Sequence, residues 1–204
     1  MENKVKDMVL ELHTPNIPKQ DRSLKRYKNA LQTADLILAE KGIHAVTIKE
    51  IAKLSGLKRS SLYKFFPSNL AILYALSEQH LNKLLDMLDA NILNASFDKS
   101  SDFINLIIDL LSIYLNEQKG SSIIFLSRDF PAKLELSIYS KNLLAAQIIK
   151  KINQKNTKIN NERITNILSI IVSLLSQGFS EEGLISPRII NETKRASLAY
   201  LAAY

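Results

Sequence analysis

The chain contains no cysteine and no tryptophan, and only five glycines, five prolines and three histidines in 204 residues. The missing cysteines exclude disulfides, thiolate metal sites and a cysteine nucleophile together. The three histidines, His13, His44 and His80, stand far apart and lack metal-ligand spacing, so each reads as a surface or packing residue. No HExxH, glycine-rich phosphate loop or nucleophile elbow is present. The pair Arg128-Asp129 reads as a solvated ion pair, with a cavity-lining pair as the alternative. No reaction, catalytic residue, metal or cofactor follows from this composition.

The first twelve residues carry Glu2, Lys4, Lys6, Asp7 and Glu11, and so lack the apolar run of a signal peptide. The most apolar stretch, Ile164 to Phe179, is broken by Thr165, Asn166, Ser169, Ser173, Ser176 and Gln177. It reads as too short and too polar to span a bilayer. A cytoplasmic protein without a membrane partner is the expectation.

Charge is present in excess of one sign. The net charge is +7, and residues 1–75 hold 13 Lys/Arg against 7 Asp/Glu. The remainder is nearly neutral. A basic first third on a neutral body suits a head that meets a polyanion.

Period-two alternation is essentially missing and apolar residues recur at three and four, so the chain reads as all-α with about nine helices. Residues 1–22 form a leader of uncertain structure, with a short amphipathic helix through Val5, Met8, Val9 and Leu12. Asp21 or Ser23 can cap a helix to about Lys41, and Gly42 follows where a left-handed residue is wanted. Short helices are expected over Ile48–Ser55 and from Lys58 to about Phe65. A long helix capped by Ser68 or Asn69 runs to about Leu93. Further helices follow near 101–117, 121–127, 131–155 and 160–179, and from Pro187 to the end.

The informative stretch is Val46 to Phe66. Thr47 can cap the helix after it and Glu50 can reach back, as in a capping box. Ile48, Ile51, Ala52 and Leu54 make an apolar face. Ser55-Gly56 ends that helix, Leu57 returns to the core, and Leu62 with Phe65 or Phe66 faces inward from the second helix. Two short helices around a tight glycine turn are a helix-turn-helix. Its second helix exposes Lys58, Arg59, Ser60, Ser61 and Lys64. Such a turn is placed against base edges in the major groove of double-stranded DNA. Arginine is shaped to fork onto guanine, and hydroxyls serve several bases. Positive charge at a helix N-terminus opposes the helix dipole, a cost that neighbouring phosphates offset. The alternative is a plain helical hairpin within a structural interaction module.

These residues resemble the TetR family of bacterial regulators. The match lies at Arg26, Ala34, Gly42, Thr47, Glu50, Ile51, Ala52, Gly56, Leu57, Leu62, Tyr63, Phe66 and Ser68, within about Ser23 to Leu73. Phe65 stands where the family usually has His, and Asn69 where Lys is usual. Lys58 and Arg59 make the turn more basic than usual. The resemblance implies a three-helix head, placed at residues 23–66, and a larger helical ligand-binding and dimerisation body at 67–204. It implies that Thr47 and Tyr63 hold phosphates beside Lys64. Lys49 and Ser68 complete the expected DNA-binding set. Tyr63 can equally be a core aromatic with its hydroxyl at the rim.

The helix from Ile164 to Leu175 is apolar nearly all round and must be buried on more than one side. With the alanine-rich last helix it can form a four-helix seam between two copies, through Ile167, Ile171, Leu174, Leu175, Ala199 and Ala202. The alternative is an ordinary intrachain core. A homodimer suits two small heads on a roughly palindromic operator. In the family the middle helices enclose an inducer pocket. Phe103, Tyr114 and Phe125 could line one for a small apolar ligand, or serve as plain core. The expectation is a repressor released by a small-molecule inducer. The alternative is a TetR-like DNA binder without a ligand, architectural or controlled by a partner.

Overall fold

The computed structural model describes residues 14–93, 97, 99–127 and 161–203. Among them all regular structure is helical: α1 (Asp21–Lys41), a 3-10 turn (Ile43–Ala45), α2 (Ile48–Ser55), α3 (Arg59–Phe65), α4 (Asn69–Leu93), α5 (Ser100–Glu117), α6 (Lys119–Leu126), α7 (Asn161–Glu182) and α8 (Pro187–Ala202). The leader helix, His13, the Arg128-Asp129 pair and the helix expected after Pro131 lie outside the described residues.

The chain divides into two compact units, and the division falls between Gln79 and His80, inside α4. The first unit therefore runs past the 23–66 head into α4, whose Ala71, Ile72, Ala75 and Leu76 are buried. In α1, Tyr27, Ala30, Leu31, Ala34, Ile37 and Leu38 form the buried stripe that a 3.6-residue period requires. Neither Asp21 nor Ser23 is its cap. Gln20 occupies the N-cap, and Asp21 lies in the first turn, where its charge complements the helix dipole. The Ser23 hydroxyl instead accepts from Arg26 at 3.2 Å. Gly42 ends α1 at φ 78°, ψ 179°. That is not the left-handed helical conformation expected, but an extended conformation at positive φ that essentially only glycine adopts.

Phe65 and Phe66 are both inward. Tyr27 stacks on Phe66 with ring centroids 5.0 Å apart and meets Phe65 edge-on at 5.7 Å. Burial, and then the charge of Glu78, push the Tyr27 phenol up to about 12.

The second unit has one core, built from α5, α6, α7, α8 and the C-terminal part of α4. Leu84, Leu88, Phe103, Ile104, Ile107, Ile164, Ile167, Ile171 and Leu175 lie within it. Asn116 clasps the turn between α7 and α8. Its Nδ2 donates to Ile185 O and its Oδ1 accepts from Ile185 N, both at 2.9 Å. Ser186 and Pro187 then start α8, the first as cap and the second inside the first turn. Helix α7 is longer than the sequence suggested. By length and composition Glu162–Glu182 could cross a membrane, contrary to the expectation above. Its Ile164, Ile167, Leu168, Ile171 and Leu175 are buried in the core of the second unit.

The close approach of α7 and α8 rests on Gly178 rather than on the alanines. A Cβ there would lie 2.5 Å from Ile189 Cγ1, 2.8 Å from Cγ2 and 3.1 Å from Cβ. A β-branched side chain has few rotamers with which to yield. Gly178→Ala is expected to destabilise the fold by about 1–2 kcal/mol, overpacking outweighing the gain in helix propensity. Adding Ile189→Ala should remove most of the clash. Thermal unfolding of the two single variants and the double variant checks this, and additive losses would contradict the close-contact account.

Candidate nucleic-acid interface

Helix α2 begins as Thr47 predicts. The Thr47 hydroxyl oxygen accepts from Glu50 N at 3.2 Å. The other half of the capping box does not form. The Glu50 carboxylate turns to Lys41 Nζ, 2.9 Å away, and this hydrogen bond and charge hold it below the usual carboxylate range. A second acceptor arrives from α4, where Asn69 Oδ1 accepts from Ile48 N at 3.1 Å. Ser68, not Asn69, caps α4, accepting from Ala71 N at 3.1 Å.

The turn is built as the sequence requires. Gly56 sits in the left-handed region at φ 69°, ψ 8°. The Ser55 hydroxyl accepts from Leu57 N at 3.3 Å. Helix α3 starts one residue later than expected. Lys58 is its N-cap, extended at φ −67°, ψ 136°, and its ammonium, a donor only, makes no side-chain cap. Its carbonyl accepts from Ser61 N and Leu62 N, at 2.9 and 3.2 Å. Behind α3, Asn16 N donates to Phe65 O at 2.7 Å, satisfying one of its last carbonyls.

Leu62 and Phe65 are buried, and they anchor α3 on one side. Arg59, Ser60, Tyr63 and Lys64 are exposed and Ser61 is half-buried. Arg59 with Tyr63, and Ser60 with Lys64, are successive-turn neighbours, so the four residues occupy a sector of about 140° opposite the buried pair. Tyr63 is 55% exposed and is therefore not a core aromatic. Lys49 and Lys58 are exposed, while Thr47 and Ser68 are half-buried. Arg59, Ser60, Tyr63 and Lys64 thus form a basic, hydroxyl-rich face of α3. Leu54, expected on the apolar face of α2, is 53% exposed, and Ile48 and Ile51 are the fully buried residues of that helix.

In the second unit, Phe103 and Tyr114 are buried and Phe125 packs partly buried against the same core. Phe97 meets Phe103 edge-on with centroids 5.1 Å apart. Tyr114 hydroxyl donates to His80 O at 3.1 Å and lies 2.9 Å from His80 Nδ1. His80 is thus a fully buried hydrogen-bonding residue, which sequence spacing alone did not reveal. Of the proposed seam residues, Ile167, Ile171 and Leu175 face the chain's own core. Leu174 is half-buried, and Ala199 and Ala202 are exposed.

The model for bacterial regulatory proteins of the tetR family matches residues 30–76, from within α1 through the helix-turn-helix into α4. The match to the TetR family thus covers the helix-turn-helix and its flanking helices. Nucleoid occlusion factor SlmA of Haemophilus influenzae is 25% identical over 107 residues, covering 52% of this chain and 49% of SlmA. The HTH-type transcriptional regulator YvdT of Bacillus subtilis is 32% identical over 72 residues, covering 35% of this chain and 36% of YvdT. The chain thus spans about half, or less, of the curated relatives it matches. A TetR-family transcriptional regulator from Streptomyces coelicolor shares the fold at a TM-score of 0.73 and 17% identity, covering 89% of this chain and 98% of that one. The TetR family is one of bacterial regulatory proteins.

Proposed function

We propose that this chain is a cytoplasmic transcription factor of the TetR family that binds a roughly palindromic operator as a homodimer. It acts as a repressor, released when a small apolar molecule binds the body. The observation that carries DNA binding is the exposed face of α3, with Arg59, Ser60, Tyr63 and Lys64 displayed opposite the buried Leu62 and Phe65. Lys58 at the N-cap and Arg59 in the first turn reach base edges, with Ser60 and Ser61 beside them. Thr47, Lys49, Tyr63, Lys64 and Ser68 hold phosphates. The Thr47 oxygen is already an acceptor for Glu50 N. Its remaining capacity includes the hydroxyl proton, which is what a phosphate takes.

Release by a ligand requires different affinity for two states of the dimer, typically about 1–3 kcal/mol of coupling. Phe103, Tyr114 and Phe125 are the proposed apolar contacts. The likeness to a nucleoid occlusion factor favours a second reading, a DNA binder without any inducer, architectural or controlled by a partner. A small-molecule melting screen with the operator complex separates the two.

The primary test is selection from random duplex DNA followed by a salt titration. A specific site should emerge, and log affinity should fall linearly with log salt at a slope of about −0.9 per phosphate contacted. A flat response, or no selected site, contradicts DNA binding.

A further inference from the structure

We infer that Asn69 is a positioning residue for the reading head: by accepting from the first amide of α2, it fixes the orientation in which Thr47 offers its hydroxyl proton to DNA. The inference rests on the DNA-binding reading above.

Helix α2 is eight residues long, so its first-turn amides are a large part of its hydrogen bonding. Two of them are satisfied by side chains. Glu50 N uses Thr47 Oγ1, and Ile48 N uses Asn69 Oδ1 in another helix. The Glu50 carboxylate, which a capping box would turn back onto this terminus, is held by Lys41. Ser68 caps α4, so the Asn69 carboxamide is not needed there and reaches across to α2. The Ile48 contact is partly buried and joins residues 21 positions apart in the chain. It is therefore a tertiary restraint on α2, not a local turn.

Thr47 immediately precedes the restrained amide. With Ile48 N fixed, the peptide joining the two residues is fixed, and with it the direction of the Thr47 side chain. With Oγ1 accepting from Glu50 N, the hydroxyl proton remains available to an acceptor outside the helix. Without Asn69, the first turn of a two-turn helix can fray and that direction is lost. Removal of the acceptor should weaken DNA binding only to the extent that Thr47 uses it. Lysine at position 69 could not substitute, since an ammonium has three donors and no acceptor.

The test uses the full chain and the duplex selected by the wild type. Variants are Asn69→Leu and Asn69→Ala, which remove the acceptor, Asn69→Asp, which keeps one, and Thr47→Val with and without Asn69→Leu. Loss of one hydrogen bond corresponds to about tenfold weaker binding for Asn69→Leu and Asn69→Ala. Hydrogen exchange at the Ile48 amide should speed up in those two variants and stay slow in Asn69→Asp. In the Thr47→Val background, Asn69→Leu should cost less than about twofold, since the two residues act as one unit. Unchanged affinity in both acceptor-free variants overturns the inference. So does a full tenfold cost in the Thr47→Val background, which would mean that Asn69 acts without Thr47. A wild-type chain that selects no duplex at all overturns the DNA-binding reading itself, and is seen before any variant is made.

Discussion

Arg59→Ala is expected to cost about 1–3 kcal/mol on the selected operator and to flatten its preference at one base pair. Arg59 is the first residue of α3 and is exposed, directly after the extended Lys58. Its guanidinium carries donors in a fixed fork, which matches the paired acceptors of guanine in the major groove. Tyr63 lies one turn further along the same exposed face, and in the proposed complex its hydroxyl meets the groove wall. Phosphate contacts position a reader and base contacts specify. Tyr63→Phe should therefore weaken binding to every duplex alike and leave the preference intact. Both variants are measured against a panel of single-base operator mutants. Equal weakening on all duplexes by Arg59→Ala would make Arg59 a phosphate clamp. A changed base preference in Tyr63→Phe would mean that α3 is rotated about its axis relative to this assignment.

The parts of the head that were legible in the sequence are those whose partners are near in the chain. Thr47 caps the amide three residues on, Gly56 takes the left-handed turn, and Leu62 and Phe65 face inward because the helical period demands it. What escaped were choices made between distant partners. Glu50 has two acceptable donors, the local terminus and Lys41, and the local pattern alone cannot rank a partner nine residues away. Asn69 reads as a helix cap until Ser68 is seen to hold that role and Ile48 N is seen to need an acceptor. Leu54 fits the apolar periodicity of α2, but a helix of eight residues is too short for the period to decide how wide its buried stripe is. In the body, apolar periodicity marks α7 as buried without saying by what. Small residues mark close approach without saying which of them is at the crossing, and here it is Gly178.

That ambiguity bears on the proposed dimer, because α7 must serve the chain's own core and, in this reading, a second copy as well. Ile171 is fully buried within one chain. Leu174, three residues on, is only half-buried, and Ala199 and Ala202 of α8 remain exposed. The two kinds of position should respond differently. Ile171→Ala should cost about 2–5 kcal/mol of folding stability, the range for deleting a large aliphatic side chain from a core. It should leave the association of the folded chain nearly unchanged at low temperature. Leu174→Asp places a carboxylate where a second copy would cover it. An unpaired buried charge costs about 3–5 kcal/mol, which weakens association by about two to nearly four orders of magnitude. The chain should stay helical, because the half-exposed position lets the carboxylate remain hydrated in the monomer. Operator affinity should fall with the dimer, since the second half-site is no longer held at high effective concentration by the first. Sedimentation at micromolar concentration, circular dichroism and operator binding on the same samples distinguish the outcomes. A Leu174→Asp chain that remains a tight dimer places the seam elsewhere, and a wild-type chain that sediments as a monomer removes the dimer from the proposal.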